Sequence, residues 1–257
     1  MSMKILEVKG FTKEFDGIKA LKEVSFSVEN GTINALIGPN GAGKTTVLNI
    51  LSGFLKPEKG EAYYKGKKIT GLPPFKISTM GVVRTFQNTR LFLQITVLEN
   101  VLMAMRYRNG ENLLDVILRR DKVLKEDKEK INKAMDYLSL VGLAEKKDEL
   151  AENLSYGQRK LLELARALAT ESELFLLDEP LAGVFPETRK KIIALMKKIK
   201  KERKTIIFIE HIVGIVSDIS DRIIVLRHGE KIADGKPYEV LKDRRVIEAY
   251  LGGEGDT

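Results

Sequence analysis

The sequence predicts an α/β fold with an inserted α-helical subdomain. Three observations predict it. The apolar run Ile33-Asn34-Ala35-Leu36-Ile37 leads through a glycine-rich stretch into an amphipathic helical pattern. A second apolar run, Leu174-Phe175-Leu176-Leu177, ends in two carboxylates, Asp178 and Glu179. Between residues 88 and 170, apolar residues recur at helical spacing with no strand pattern among them.

The glycine-rich stretch comprises Gly38, Pro39, Asn40, Gly41, Ala42, Gly43, Lys44, Thr45 and Thr46. It fits G-x-x-x-x-G-K-[ST], a loop whose backbone N–H groups turn inward around a polyphosphate. Lys44 is placed to reach the β- and γ-phosphates and the Thr45 hydroxyl to ligate Mg²⁺. The run before the loop reads as a buried parallel strand. After it, Val47, Leu48, Ile50, Leu51 and Phe54 form the apolar face of a helix starting at Lys44. A phosphate held by the loop would therefore rest on a helix N-terminus, where free N–H groups and the dipole favour anions.

Composition limits the function classes. The 257 residues are 43% hydrophobic and 31% charged, enough for a full core in one large domain. No apolar run approaches the roughly 18–20 residues that cross a bilayer, and the first residues lack the apolar core of a signal peptide. Cysteine is absent, so no disulfide framework exists and a cytosolic location is the expectation. The net charge of +8 comes from interleaved Lys and Glu, as along residues 122–130, which reads as a solvated helix face. No basic stripe is interleaved with aromatics, so nucleic acid is not expected as a partner.

In chain order, Ile5–Val8 and Val24–Val28 alternate as strands around a turn at Asp16-Gly17. Phe15, beside that turn, reads either as a core residue or as a ring that stacks on a base. Lys56–Gly60 is a turn, Glu61–Tyr64 a strand, Pro73-Pro74 opens a short helix at 75–80, and Gly81–Phe86 is a strand ending at Gln87. Three helical segments follow. Leu98, Val101, Leu102 and Met105 mark the first, and Val116, Ile117 and Leu118 the second. Ile131, Ala134, Met135, Leu138 and Val141 mark the third, which Gly142 ends. Ser155 and Gln158 form an S-x-x-Q capping box opening a helix with Leu161, Leu164, Ala165, Leu168 and Ala169 inward. That helix end is either an ordinary cap or a second anion site.

The strand ending at Asp178-Glu179 delivers its acids to the edge where α/β proteins bind ligands. Asp178 there can bind Mg²⁺, directly or through water, and Glu179 can polarise a water. A helix follows at 187–201, then the strand Thr205–Ile209 ending at Glu210-His211. His211 reads either as structural or as a donor to a terminal phosphate, whereas His228, in a hairpin turn between 222–226 and 231–233, reads as solvated. Residues 237–251 carry two short helices, and 252–257 are expected to be disordered.

Taken in order, these blocks resemble the ATP-binding subunit of ABC transporters, and the resemblance spans nearly the whole chain. The blocks are the loop at 38–45, Gln87 in Thr85-Phe86-Gln87, Leu154-Ser155-Tyr156-Gly157-Gln158, Asp178-Glu179 and His211. The resemblance implies a P-loop NTPase-type mixed sheet in a single ABC ATPase fold over 1–257. Its core and antiparallel β-subdomain would occupy 1–87 and 171–236, its helical subdomain 88–170 and its helical tail 237–257. It also implies site roles. Phe15 would stack on adenine; Gln87 and Asp178, with Thr45, would place Mg²⁺; Glu179 would be the general base; His211 would contact the γ-phosphate. Ser155 and Gly157 would contact that phosphate from a second ATPase subunit across a head-to-tail ATP sandwich, the dimer being homo- or heteromeric.

Two positions depart from the family pattern. Tyr156 stands where relatives commonly carry Gly. Phe185, before Pro186, stands where they carry Asp or Asn, a residue that helps couple the two ATP sites.

The finer pattern, Arg84-Thr85-Phe86-Gln87-Asn88-Thr89-Arg90-Leu91-Phe92 with Thr96–Val101 and Ala249-Tyr250-Leu251-Gly252, is similar to the LivG-like subunits of branched-chain amino acid importers. That likeness implies ATP hydrolysis at the cytoplasmic face of the cell membrane, with ATP and Mg²⁺ as cofactors. It implies two membrane permease subunits and, indirectly, an extracytoplasmic substrate-binding protein as partners. A hydrophobic groove rimmed by residues 88–98 is expected to receive the permeases, with Arg90, Leu91 and Phe92 as contacts; by composition Leu91 and Phe92 read equally as core. Urea or amide import, lipopolysaccharide export and a soluble ABC protein remain alternatives at this point.

Overall fold

The computed structural model describes residues 3–87, 89–105 and 120–251. The expected segment at Val116–Leu118, the tail 252–257 and Asn88 lie outside the described residues. The chain divides into two compact units, one of Met1–Gln87, Ser172–Ala182 and Met196–Thr257, the other of Asn88–Glu171 and Gly183–Leu195.

The first unit holds two sheets. Strands β1 (Lys4–Phe15), β2 (Ile18–Glu29), β4 (Lys59–Tyr64) and β5 (Lys67–Lys68) form an antiparallel sheet in the order β2-β1-β4-β5. The hairpin strands run longer than the alternating patterns indicate. A bulge near the positive-φ residue Glu23 resets the register, so Leu21 and Val24 both face inward although three residues apart.

The second sheet has the order β10-β9-β3-β8-β7-β6. Its strands are β3 (Ile33–Ile37), β6 (Val82–Arg84), β7 (Leu174–Asp178), β8 (Thr205–Ile209), β9 (Arg222–Arg227) and β10 (Glu230–Gly235). The pairs among β6, β7, β8, β3 and β9 are parallel, and only β9 with β10 is antiparallel. Every residue of β3, β7 and β8 is buried, which is why these runs do not alternate and are apolar except at Asn34, Asp178 and Thr205. Because β3, β8, β7 and β6 run side by side in one direction, their C-terminal ends open on one edge. The loop at 38–43, His211, Asp178-Glu179 and Gln87 all follow those ends.

Helix α1 (Lys44–Leu51) packs into a core shared by both sheets. Val47, Leu48, Ile50 and Leu51 belong to one buried cluster with Phe11, Leu21 and Val24 of the antiparallel sheet and Leu36, Leu174 and Ile207 of the parallel one. Each such fully buried side chain contributes about 1.5–3 kcal/mol relative to exposure. Phe54 departs from the expectation. The helix stops at Leu51, with Gly53 in the left-handed region, and Phe54 is 49% exposed, packed edge-on against Phe86. Helix α2 (Pro74–Thr79) is opened by the proline pair as expected, one residue earlier at each end than 75–80.

In the second unit the elements described are helical: α3 (Val97–Leu102), α4 (Arg120–Val141) and α5 (Tyr156–Ala169). Helix α4 ends at Gly142, whose φ is 73°, as expected; Ile131, expected inward, is 42% exposed. Capping boxes open α3 (Thr96 with Glu99) and α5 (Ser155 with Gln158). Buried Asn100 ties down the loop before α3, donating to the Phe92 carbonyl at 2.9 Å and accepting from the Phe92 N–H at 3.1 Å. Helix α6 (Pro186–Lys201) follows β7; helices α7 (Val213–Ile219), α8 (Pro237–Val240) and α9 (Arg244–Leu251) complete the chain. His228 and Gly229, both at positive φ, form the two-residue turn between β9 and β10, and His228 is exposed as expected.

Candidate active site

The glycine-rich loop is shaped by what lies beneath it. A Cβ on Gly38 would fall 2.0 Å from the Leu226 carbonyl oxygen of β9, and one on Gly43 would fall 2.5 Å from the Ala20 carbonyl oxygen of β2. Gly41 differs: its φ is 73°, it is exposed, and no described atom lies within 4 Å of where its Cβ would be. Gly38, Ala42 and Lys44 are buried, while Asn40, Gly41 and Thr45 form the exposed rim, with Pro39, Gly43 and Thr46 between these extremes.

Gly43 is the N-cap of α1, and no side chain caps that helix end. The contrast with α3 and α5, both boxed by their own side chains, is chemical. The first-turn N–H groups of α1 lack intrahelical acceptors and are available to an anion. The Lys44 ammonium donates to the carbonyls of Gly38 and Pro39, both at 2.8 Å, inside the curve of the loop. Burial lowers its pKa, and the charges of Glu179 and Asp178 oppose that shift.

Asp178, the last residue of β7, is buried, and its Oδ2 accepts from Arg84 Nη2 at 3.0 Å. Glu179 has a φ of 48°, a left-handed conformation that costs about 1–2 kcal/mol in a residue with a side chain. That turn breaks the strand's alternation, which would otherwise send Asp178 and Glu179 to opposite faces. The Glu179 carboxylate accepts from Gln87 Nε2 at 3.0 Å on Oε2, and its Oε1 lies 2.9 Å from His211 Nε2. Gln87, Glu179 and His211, which follow β6, β7 and β8, thus form one hydrogen-bonded group.

Glu210 is buried beside this group and carries no sequence signal beyond a charge at the end of an apolar strand. It accepts from the Leu181 N–H at 2.8 Å and the His211 N–H at 3.3 Å, holding the backbone after β7 to the backbone after β8. Burial raises its pKa, against those two hydrogen bonds. Arg84 enters the sequence reading only as the first residue of the pattern around Gln87, with no contact to Asp178 to be read from it.

Phe15 ends β1 with its ring 44% exposed and the Lys13 ammonium 5.2 Å from the centroid, so it is not a core residue. In the second unit Ser155 is exposed, and its hydroxyl accepts from the Gln158 N–H at 3.3 Å as a cap. Gly157 has a packing reason: a Cβ there would meet the Thr188 hydroxyl at 3.0 Å. The Tyr156 ring covers Gly183, and Phe185 is 83% exposed. Phe92 is 49% exposed with the Arg166 guanidinium 5.2 Å from its ring, Leu91 is half-buried, and Arg90 is exposed, its carbonyl accepting from Arg166.

The donor set suits Mg²⁺. Thr45 and Asp178 offer hard oxygens, with Gln87 on a neighbouring strand end, and Mg²⁺ takes one or two carboxylates together with substrate phosphates. Among the described residues, no group of three or more His, Cys, Asp or Glu forms an all-protein cage.

Comparison with known proteins bears on the family and the fold. The ABC transporter family model matches residues 21–182, and one described as branched-chain amino acid ATP-binding cassette transporter matches 230–256. The probable branched-chain amino acid transport ATP-binding protein LivG of Archaeoglobus fulgidus is 41% identical over 252 residues, covering 98% of this chain and 97% of that protein. The high-affinity branched-chain amino acid transport ATP-binding protein BraF of Pseudomonas aeruginosa is 41% identical over 253 residues, covering 98% and 99%. A nucleotide-free ATP-binding cassette from an ABC transporter superposes with a TM-score of 0.83 at 36% identity, over 96% of this chain and 99% of that one. A cassette in its ADP conformation gives 0.82 at 34% identity, over 98% and 100%.

Proposed function

The chain belongs to the ABC transporter family, and from that premise we propose that it is the ATP-hydrolysing subunit of a branched-chain amino acid importer. The observation that carries the catalytic part is the Glu179 carboxylate, held between Gln87 and His211 on the sheet edge that bears the uncapped phosphate loop. Phosphoryl transfer needs positioning and charge stabilisation more than covalent help. The loop N–H groups and Lys44 hold the β- and γ-phosphates of ATP, and Phe15 offers its exposed ring to the adenine. Thr45, Asp178 and Gln87 would hold Mg²⁺, which would neutralise charge on the phosphates when bound. Glu179 takes the proton of the attacking water, and His211 donates to the γ-phosphoryl oxygens as their charge develops.

Ser155, Gly157 and the first turn of α5 meet the γ-phosphate of a second ATPase subunit, so that ATP closes the dimer and hydrolysis releases it. The division into a core at 1–87 and 171–236, a helical subdomain at 88–170 and a tail at 237–257 belongs to this reading. Arg90, Leu91 and Phe92 meet two permease subunits, which receive substrate from an extracytoplasmic binding protein. Among the described residues no helix is long and apolar enough to cross a membrane, so attachment at the cytoplasmic face would run through those permeases.

The test is Glu179→Gln. It is expected to bind ATP normally, lose about 10²–10⁴-fold in hydrolysis and accumulate as an ATP-bound dimer on size exclusion. Near-normal turnover would remove Glu179 from the role of base.

A further inference from the structure

Arg84 sits in the last position of β6 with its side chain 5% exposed, and no role of the phosphate loop or the catalytic group requires a cation there. Its guanidinium is used as a fork. Nη2 donates to Asp178 Oδ2 at 3.0 Å; Nη1 donates to Asn49 Oδ1 at 2.6 Å and to Ser52 Oγ at 3.0 Å. The Phe86 ring lies 4.9 Å from its central carbon, and Phe54 packs edge-on against Phe86 at 5.3 Å. One side chain therefore joins the helix behind the phosphate loop, the strand leading to Gln87 and the strand ending in Asp178.

We propose that Arg84 is a positioning residue that fixes the Asp178 carboxylate for the Mg²⁺–nucleotide complex. The inference rests on the ATPase reading above and deepens it. A carboxylate with a side-chain exposure of 4% is desolvated, and without a paired cation its charge would be costly. Arg84 supplies that charge and holds one carboxylate oxygen at a fixed angle, because its own plane is pinned by Asn49 on α1 and by Ser52 at the end of that helix. The position of the carboxylate is thereby tied to the helix that begins at Lys44. A lysine could supply the charge but not the planar fork. Partners that orient metal-ligating carboxylates in this way are typically worth about 10–100-fold in metal affinity.

The experiment compares the purified full-length chain with Arg84→Lys and Asn49→Ala. Binding of a fluorescent ATP analogue is titrated once with Mg²⁺ and once with EDTA, and the Mg²⁺ concentration giving half-maximal hydrolysis is measured. For Arg84→Lys the expected result is a Kd about 10-fold weaker or more with Mg²⁺, an unchanged Kd in EDTA, and a matching rise in the Mg²⁺ requirement. Asn49→Ala removes one acceptor of the fork and leaves both charges; it should show a smaller loss of the same kind, and carries the comparison alone if Arg84→Lys does not fold. Equal weakening with and without Mg²⁺, or none in either, would overturn the proposal. A wild-type chain that binds no nucleotide in either condition would remove the ATPase reading, and this inference with it.

Discussion

Replacing Gly38 and Gly41 by alanine, one at a time, separates packing from ligand space within a single loop. At Gly38 the new methyl falls 2.0 Å from the Leu226 carbonyl oxygen, and an ordinary contact needs about 3.3 Å, so strand β9 or the loop must retreat by about 1.3 Å. Strand β9 is paired on both sides, with β3 and β10, and resists that shift. Overpacking costs about 1–3 kcal/mol, and the φ of 146° about as much again as backbone strain. At roughly 2–4 °C per kcal/mol for a chain of this size, Gly38→Ala should melt on the order of 10 °C lower.

Gly41 has a φ of 73° and open space around its Cβ position, so Gly41→Ala costs only backbone strain, about 1–2 kcal/mol and about 5 °C. Its methyl would nevertheless enter the space read as the phosphate cradle, and nucleotide binding should weaken about tenfold or more, about 1.4 kcal/mol. Thermal melts paired with titration of a fluorescent ATP analogue read both quantities. Tight binding by Gly41→Ala would refute the cradle, and a melting temperature for Gly38→Ala within about 2 °C of wild type would refute the packing argument.

Two further outcomes are expected. Burial raises the Glu210 carboxyl above its ordinary value of 4.5, so the folded state binds that proton more tightly than the unfolded one. Its contribution to stability is full at low pH and is lost as pH rises from that ordinary value through the raised one. The melting temperature of wild type relative to Glu210→Gln should therefore fall with rising pH across that window; parallel curves would contradict it. Phe185 is 83% exposed, and its carbonyl accepts the Arg189 N–H at 3.0 Å, which makes it the N-cap of α6. Phe185→Asn should raise ATPase activity or its cooperativity and, because Asn is a strong N-cap, stabilise by about 1 kcal/mol; an unchanged rate, Hill coefficient and melting temperature would count against both.

Much of the fold was legible because its signals are local. Strand β3, the glycine loop and α1 lie within twenty residues of one another; the bounds of β3 and β8 match the expected strands residue for residue, and β7 runs one residue past its apolar run, to Asp178. Buried parallel strands must be apolar on both faces, which leaves an unmistakable run. The S-x-x-Q box at Ser155 was likewise readable, since its donors and acceptors are three residues apart. At Phe54 the pattern misleads because the period breaks. Phe54 fits the helical spacing of α1, yet the helix has ended and Gly53 has turned the chain.

What the sequence determined by itself is the order of the parts: a phosphate loop, then Gln87, then two acids, then His211, each at the end of an apolar strand. What only the tertiary structure decided is how those parts are held. Gly38 lies under Leu226, and Gly43 against Ala20. Arg84 grips Asp178 across 94 positions of sequence, and Glu210 holds Leu181 across 29. Glu179 is turned toward Gln87 and His211 by a left-handed backbone that no residue pattern announces. The physical reason is common to all of them. A strand or a cap is specified by neighbours within a few residues, whereas a buried ion pair or a close backbone approach exists only once the sheet order has brought distant segments together.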